Sequence, residues 1–193
     1  MQNRKRPQGI EMISAEDAIS IYQRLLDNNI QVWLIGGWGI DALLGEQTRP
    51  HKDLDVLMLV DDVSRMCELL NHDGFKLGYL WEENLWTVDA HGVKTATAFV
   101  LQDVEGREID AHAMRFDAEG NGIPAWDAEG RILKSQDLAG EGIIAGVTVP
   151  CFTPEMQMAC HTGYDLPDKQ AHDLERLHEK FGVAYPGELG NPL

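Results

Sequence analysis

One segment carries the strongest structural signal in this chain: residues 32–60, which read VWLIGGWGIDALLGEQTRPHKDLDVLMLV. A short β-prone apolar run, VWLI, stops at the pair Gly36 and Gly37. A second apolar run, LDVLMLV, begins directly after Asp53. The pattern predicts two neighbouring buried strands, with a glycine turn after the first strand and two carboxylates at the head of the second.

The two carboxylates, Asp53 and Asp55, are separated by one residue. Side chains alternate along a strand, so both point to the same side and share one small volume, where their charges repel. A divalent cation would neutralise that repulsion, and oxygen ligands suit Mg²⁺ together with the oxygens of a phosphate. The pattern therefore indicates Mg²⁺ with a phosphorylated ligand. The alternative from these residues alone is a solvated face or a turn-forming cap.

The glycine pair supplies the complementary part of such a site. Residues without a Cβ let the backbone approach a ligand closely and adopt positive φ, so amides near Gly36 and Gly37 could hold a phosphate. Residues 38–44 indicate a short helix ended by Gly45, so the turn would also present a helix N-terminus to an anion. The alternative is a tight turn with no ligand.

A third carboxylate lies in a later strand. Residues 95–101, TATAFVL, and 108–114, EIDAHAM, are strand-like runs joined by a plausible hairpin connection. Asp110 falls inside the second run, where an unpaired buried charge would be costly. It therefore lies either on a solvent-facing side or in a charged site.

These motifs resemble the signature of the DNA polymerase β-like nucleotidyltransferase superfamily. More narrowly, GGWGIDALLGEQTRPHKDLDV is similar to the small aminoglycoside and lincosamide nucleotidyltransferases, and the resemblance extends from about residue 14 to residue 181. It implies an α/β (α+β) nucleotidyltransferase fold, a mixed β-sheet flanked by helices with a small C-terminal helical part. We expect a core over residues 1–115, and a loop plus helical part over 116–193 that shapes the acceptor pocket within one compact unit.

The resemblance also implies roles for the three carboxylates. Asp53 and Asp55 would ligate Mg²⁺, and Asp110 would be either a further metal ligand or the general base, with the base favoured. The implied reaction is attack of an acceptor hydroxyl on the α-phosphorus of a nucleoside triphosphate, with ATP expected, and release of pyrophosphate. Two alternatives remain: a toxin-like nucleotidyltransferase acting on a macromolecule, and a non-catalytic nucleotide-binding protein of this fold.

Several residues are candidates for nucleotide binding beside the glycines. Arg49 is the best cation for the triphosphate because guanidinium matches phosphate oxygens in a bidentate way. Lys52 would assist, and Lys169 is suggested by the basic residue that related enzymes present from their C-terminal part; for all three the alternative is an ordinary surface residue. Trp38 either stacks on a base or, as we favour, packs under the glycine turn. His51 is expected to orient the loop.

Composition narrows the function classes. The 193 residues carry a formal net charge of −16, which argues against a nucleic-acid partner and suits a cationic small-molecule acceptor, although solubility is the favoured explanation of the charge. Three scattered cysteines indicate neither a disulfide framework nor a zinc site. No run reaches the length of a membrane span, so we expect no membrane partner and a cytoplasmic location. Oligomeric state is open, with a homodimer as one option.

Overall fold

The computed structural model describes residues 12–161 and 168–185, with the side chains of residues 168 and 169 outside the described part. The helices are α1 (Ala15–Leu26), α2 (Gly36–Leu44), α3 (Val63–His72), α4 (Pro154–Ala159) and α5 (Asp168–Phe181). The strands are β1 (Val32–Leu34), β2 (Asp53–Leu59), β3 (Lys76–Leu80), β4 (Thr87–Val88), β5 (Lys94–Thr95), β6 (Ala98–Gln102), β7 (Glu108–Phe116), β8 (Gly122–Pro124), β9 (Gly140–Ile144) and β10 (Val147–Cys151). This is the mixed α/β architecture that the sequence predicted.

Eight of the described strands form one mixed sheet, in the order β3, β6, β7, β2, β1, β10, β9, with β8 paired to β7. The pairs β2 with β7 and β1 with β10 are parallel, and the remaining pairs are antiparallel. Strands β4 and β5 form a separate two-stranded hairpin. The C-terminal strands β9 and β10 thus extend the same sheet that carries β1 and β2.

The two strands of the diagnostic segment are neighbours, as predicted. Strands β1 and β2 pair in antiparallel register, and every residue of β1 is buried. Helix α2 begins immediately at Gly36 and ends at Gly45, whose φ of 77° is the left-handed conformation that favours glycine. The helix is buried from Trp38 to Leu44 because it lies between the sheet and the C-terminal helices.

The outer helices follow from ordinary capping and amphipathic patterns. Ser14 and Asp17 form a capping box at the start of α1, whose buried residues lie along one face. Thr153 caps α4 through a contact from the Met156 amide, with Pro154 in the first turn. Helix α5 buries Leu174 and Leu177 in the main core.

Two local sequence patterns are misleading. The glycine-rich and acidic residues 117–130 predict a long loop, but they contain β8, which pairs with the end of β7. Asp61 and Asp62 precede α3, where aspartate is a typical cap, but they make no side-chain cap there; Asp61 instead accepts the Ala90 amide of the β4–β5 hairpin. Within the described ranges, none of the helices is long and apolar enough to cross a membrane.

Candidate active site

The glycine turn and the second carboxylate of β2 are in direct contact. Gly36 has a φ of 58°, and a Cβ added there would lie only 2.9 Å from the Asp55 Cγ and closer still to Oδ2. Any larger residue would therefore be strained in its backbone and would collide with the carboxylate. Gly36 and Gly37 are both partly exposed. The absence of a side chain lets the Asp55 carboxylate sit against an accessible helix N-terminus.

The three predicted carboxylates lie on adjacent strands. Asp55 pairs directly with Asp110 in the parallel register of β2 and β7, and Asp53 pairs with Glu108. Residues in register on neighbouring strands project to the same face, so Asp53, Asp55 and Asp110 share one face of the sheet. Among residues 12–161 and 168–185, however, no three carboxylate, histidine or cysteine side chains converge into a metal-binding cluster. The described structure thus brings Asp55 and Asp110 side by side without forming a three-ligand cage.

Asp110 is held by two aromatic residues. The Trp81 Nε1 donates a hydrogen bond of 2.9 Å to the Asp110 Oδ1, and the His112 Nδ1 lies 3.3 Å from the same oxygen. The Asp110 side chain is 13% exposed, so it is neither free in solvent nor sealed in the core. Both neighbours engage Oδ1, which fixes the orientation of the carboxylate.

The contacts of Asp110 continue through His112 to an aromatic ring and a further carboxylate. The His112 ring meets the Trp126 ring edge-on at 4.8 Å, and its Nε2 lies 3.5 Å from the Glu83 Oε1. Burial, and then the charges of Glu108 and Asp110, raise the pKa of Tyr79 on β3, which is separated from β7 by β6. This side of the site is therefore aromatic and acidic, a combination that suits a ligand carrying positive charge.

Arg49 lies beside Gly37, the second glycine of the turn, whereas Asp55 lies against Gly36. Its Nε donates a hydrogen bond of 2.9 Å to the Asp173 Oδ2 of α5, and its Nη2 would be 3.0 Å from a Cβ added at Gly37. Arg49 keeps 21% of its side chain exposed. The guanidinium is thus directed at the glycine turn while its inner nitrogen is paired.

The loop that carries Arg49 is anchored by a buried polar network on α2. Asp41 accepts hydrogen bonds from the Thr48 amide at 3.1 Å and the Thr48 hydroxyl at 2.6 Å, and its other oxygen lies 2.5 Å from the His51 Nε2. The side chains of Asp41 and His51 are each 2% exposed. The His51 ring in turn packs on Trp38 at 4.8 Å and against Gly37. His51 therefore orients the loop, as its position in the sequence suggested.

The remaining candidates are placed differently. Trp38 is 1% exposed and packs in the core under the glycine turn, the role that was favoured over base stacking. The Lys52 Nζ pairs with the Glu108 Oε2 at 2.6 Å, and this hydrogen bond is the main reason that the pKa of Lys52 is raised. The side chain of Lys169 lies outside the described residues, although its backbone belongs to α5.

Fold and site together define a nucleotidyltransferase: a mixed sheet, a glycine turn opening a helix, and carboxylates on the adjoining strands. The particular family follows from a comparison with family models, in which residues 17–177 match the aminoglycoside-2″-adenylyltransferase family. That match covers most of the chain. The chain therefore belongs to the aminoglycoside-2″-adenylyltransferase family and is a nucleotidyltransferase enzyme.

Individual relatives agree with this assignment. A lincosamide resistance protein of Staphylococcus haemolyticus is 26% identical over 148 residues, which cover 77% of this chain and 84% of the relative. The crystal structure of the lincosamide antibiotic adenylyltransferase LnuA, with lincomycin bound, superposes with a TM-score of 0.73 at 23% identity, covering 86% of this chain and 98% of LnuA. The structure of ANT(2″)-Ia in complex with adenylyl-2″-tobramycin gives a TM-score of 0.65 at 20% identity, covering 87% and 89% of the two chains. At these identities the solved structures establish the fold.

Sequence reasoning did not assign four residues that the structure places in or beneath the site. His112 was detectable, because it lies two residues after Asp110 and must share its face of the strand. Asp41 lies within residues 32–60, but its position in the sequence does not predict a contact with His51. Trp81 and Asp173 left no local signal, since they are 29 and 124 residues away from the residues they bind.

Proposed function

We propose that this protein transfers AMP from ATP, in a Mg²⁺-dependent reaction, to a hydroxyl of an aminoglycoside or lincosamide antibiotic, and releases pyrophosphate. The observation that carries the proposal is the contact of the Asp55 carboxylate with the Gly36 turn, beside its register partner Asp110. The N-terminus of α2, which could bind a phosphate, and the carboxylates of Asp55 and Asp110 thus lie within one site. Antibiotic adenylylation is named for the matched family and for the LnuA structure, and the curated relative is named as a lincosamide resistance protein.

The donor set fits Mg²⁺ through Asp53 and Asp55. Mg²⁺ usually keeps several waters and uses only one or two protein carboxylates together with substrate phosphate oxygens. Two half-buried carboxylates beside an accessible helix N-terminus match that requirement, and a closed cage of three protein ligands is unnecessary. When bound, the cation would supply charge neutralisation to the triphosphate and the leaving pyrophosphate.

Asp110 is proposed as the general base. Trp81 and His112 both engage its Oδ1, so we assign the other oxygen, Oδ2, to accept the proton of the acceptor hydroxyl. A hydroxyl that loses its proton as it attacks the α-phosphorus is the stronger nucleophile, and a positioned base typically contributes about 10²–10⁴-fold to the rate. The oriented carboxylate favours this role over that of a third metal ligand.

The nucleotide is proposed to bind on the arginine side of the turn. The amides at Gly36 and Gly37 would hold phosphate oxygens, and Arg49 would add a bidentate contact. Lys52, already paired with Glu108, and Lys169 complete the proposed set of cations. Trp38 supports the turn from the core rather than by contact with the base.

The acceptor is proposed to bind on the aromatic and acidic side. Trp126 belongs to the proposed second part of the chain, residues 116–193, and contacts His112 of the proposed core, residues 1–115. Glu83 lies beside that pair and could bind an amine of the acceptor. The net charge of −16 would raise the local concentration of a cationic drug. A cytoplasmic location, where ATP is available, is part of this proposal.

Mass spectrometry tests the proposal directly. The purified protein is incubated with Mg²⁺, the four nucleoside triphosphates and a panel of aminoglycosides and lincosamides, with Asp110→Asn as the inactive control. We expect one class of drug to gain the mass of AMP, with pyrophosphate released in equal amount. A gain of GMP, CMP or UMP would overturn the assignment of ATP, and release of pyrophosphate without any modified drug would overturn the assignment of the acceptor.

A further inference from the structure

Helix α5 contacts the end of α2 and the loop between α2 and β2 through three polar side chains on one helical face. Asp173, Arg176 and Lys180 follow a spacing of three and then four residues, so they project to the same side. Arg176 pairs with Glu46 in the loop. The Lys180 Nζ donates to the carbonyls of the last two residues of α2, at 3.1 and 2.7 Å. The C-terminal helix therefore contacts the nucleotide side of the site as well as the core.

Asp173 is the buried member of this set. Its residue is 1% exposed, and its two oxygens accept from the Thr48 hydroxyl at 3.2 Å and the Arg49 Nε at 2.9 Å. A carboxylate removed from water is costly unless it is paired and hydrogen-bonded. The guanidinium provides that pairing through Nε alone, and its Nη2 end faces Gly37.

The pairing restricts where the Arg49 guanidinium can lie. An arginine side chain has several rotatable bonds, and in an exposed loop it would sample many positions. A fixed partner at Nε selects the rotamers in which Nη2 faces the glycine turn, while Nη1 donates to the Pro50 carbonyl at 3.4 Å. The Asp41 network holds the loop backbone of Thr48 from the other side, so backbone and side chain are fixed by separate contacts.

We propose that Asp173 is a positioning residue for the nucleotide: it holds the Arg49 guanidinium at the glycine turn and so makes α5 part of the triphosphate site. This inference rests on the proposed function, because it takes the ligand at the turn to be a nucleoside triphosphate. It gives α5 a role in donor binding that acts through Arg49, in addition to the phosphate contact proposed for Lys169 on the same helix.

The test is binding of MgATP, measured by isothermal titration calorimetry on the whole chain. Asp173→Asn is compared with Glu175→Gln, which makes the same chemical change two residues away on an exposed position of α5. We expect the Kd for MgATP to rise on the order of 10²-fold in Asp173→Asn, as for a misplaced binding group, and to stay unchanged in Glu175→Gln. Equal Kd values for wild type and Asp173→Asn would overturn the inference while leaving the proposed function intact.

A double-mutant cycle with Arg49→Ala separates positioning from general stability. If Asp173 acts through Arg49, Asp173→Asn should weaken binding no further once Arg49 is absent. Additive losses would overturn the inference. Asp173→Glu, which keeps the charge but moves the carboxylate by one methylene group, covers the case in which Asp173→Asn fails to fold; wild-type affinity in Asp173→Glu would count against positioning. Failure of the wild type itself to bind MgATP would overturn the proposed function.

Discussion

The two sides of the site are built by different means. The carboxylates Asp53, Asp55 and Asp110 lie on regular strands, and strand register alone puts them on one face. Arg49 lies on an irregular loop, and its position depends on tethers from α2 and from α5. One side is therefore fixed by backbone pairing, and the other by buried side-chain contacts.

This difference has a physical reason. Ladder hydrogen bonds position a short aspartate side chain with little freedom, because the backbone is rigid and the side chain has few rotatable bonds. A long arginine on a loop has neither advantage, so its position needs partners that are themselves fixed. The loop residues Thr48 and Arg49 are accordingly held by buried polar contacts with Asp41 of α2 and Asp173 of α5.

The largest expected effect comes from removing the strand side of the site. The double variant Asp53→Ala with Asp55→Ala should lose Mg²⁺-dependent nucleotide binding and, because a bound cation contributes several kcal/mol to the transition state, lower kcat/KM by about 10³-fold or more. Calorimetry with MgATP measures the binding. The control is Asp61→Ala with Asp62→Ala, a carboxylate pair just beyond the other end of β2. Retained Mg²⁺-dependent binding in the first variant would refute the metal site.

The next effect distinguishes the two roles that remain for Asp110. Asp110→Asn keeps the shape of the side chain and an oxygen for the Trp81 hydrogen bond, but it cannot accept the proton. We expect kcat to fall by about 10²–10⁴-fold with the Kd for MgATP nearly unchanged. Single-turnover assays, with a drug that the wild-type protein adenylylates, measure the loss of rate. A matching loss of MgATP affinity would identify Asp110 as a metal ligand instead.

Prediction from the sequence succeeded where the contacts are local. The alternation of Asp53 and Asp55, and the glycine pair before α2, follow from backbone geometry within a few residues, and the structure has both elements in place. The contacts that hold Arg49 and Asp110 join residues far apart in the chain, and no periodicity encodes such pairs. The strand β8 was missed because its glycine-rich segment looks like a loop until β7 is present to pair with it.

Removal of Asp41 tests the loop side. Asp41→Ala leaves the Thr48 amide and hydroxyl and the His51 ring without their common buried acceptor. We expect the free energy of unfolding to fall by about 3 kcal/mol, as for buried donors left unsatisfied. Denaturant titration measures this loss. Asp41→Asn, which keeps one carbonyl oxygen for Thr48, should lose less; an equal loss would mean that the charge, and not the hydrogen bonds, holds the loop.

A pair of glycine variants tests the junction between the two sides. Gly36→Ala and Gly45→Ala both impose a Cβ at positive φ, at 58° and 77°, but only the first pushes a side chain into Asp55. The shared backbone strain costs about 1 kcal/mol in each. The additional collision in Gly36→Ala should displace the carboxylate and lower kcat/KM by about 10²-fold, while Gly45→Ala keeps near-normal activity. Equal activity of the two variants would show that Asp55 adjusts without loss.

The smallest effect concerns the opposite charges of the two sides. The acidic side should attract a polycationic aminoglycoside over distances comparable with the Debye length, which is about 10 Å at 0.1 M salt and about 3 Å at 1 M. The KM for the aminoglycoside should therefore rise several-fold with salt. The KM for a lincosamide, which has a single ionisable amine, should rise less. The comparison uses one enzyme and two acceptors, so any effect of salt on MgATP binding at Arg49 is common to both. If the KM values of the two acceptors changed in parallel, the net charge of −16 would serve solubility, and acceptor choice would rest on the aromatic contacts around His112.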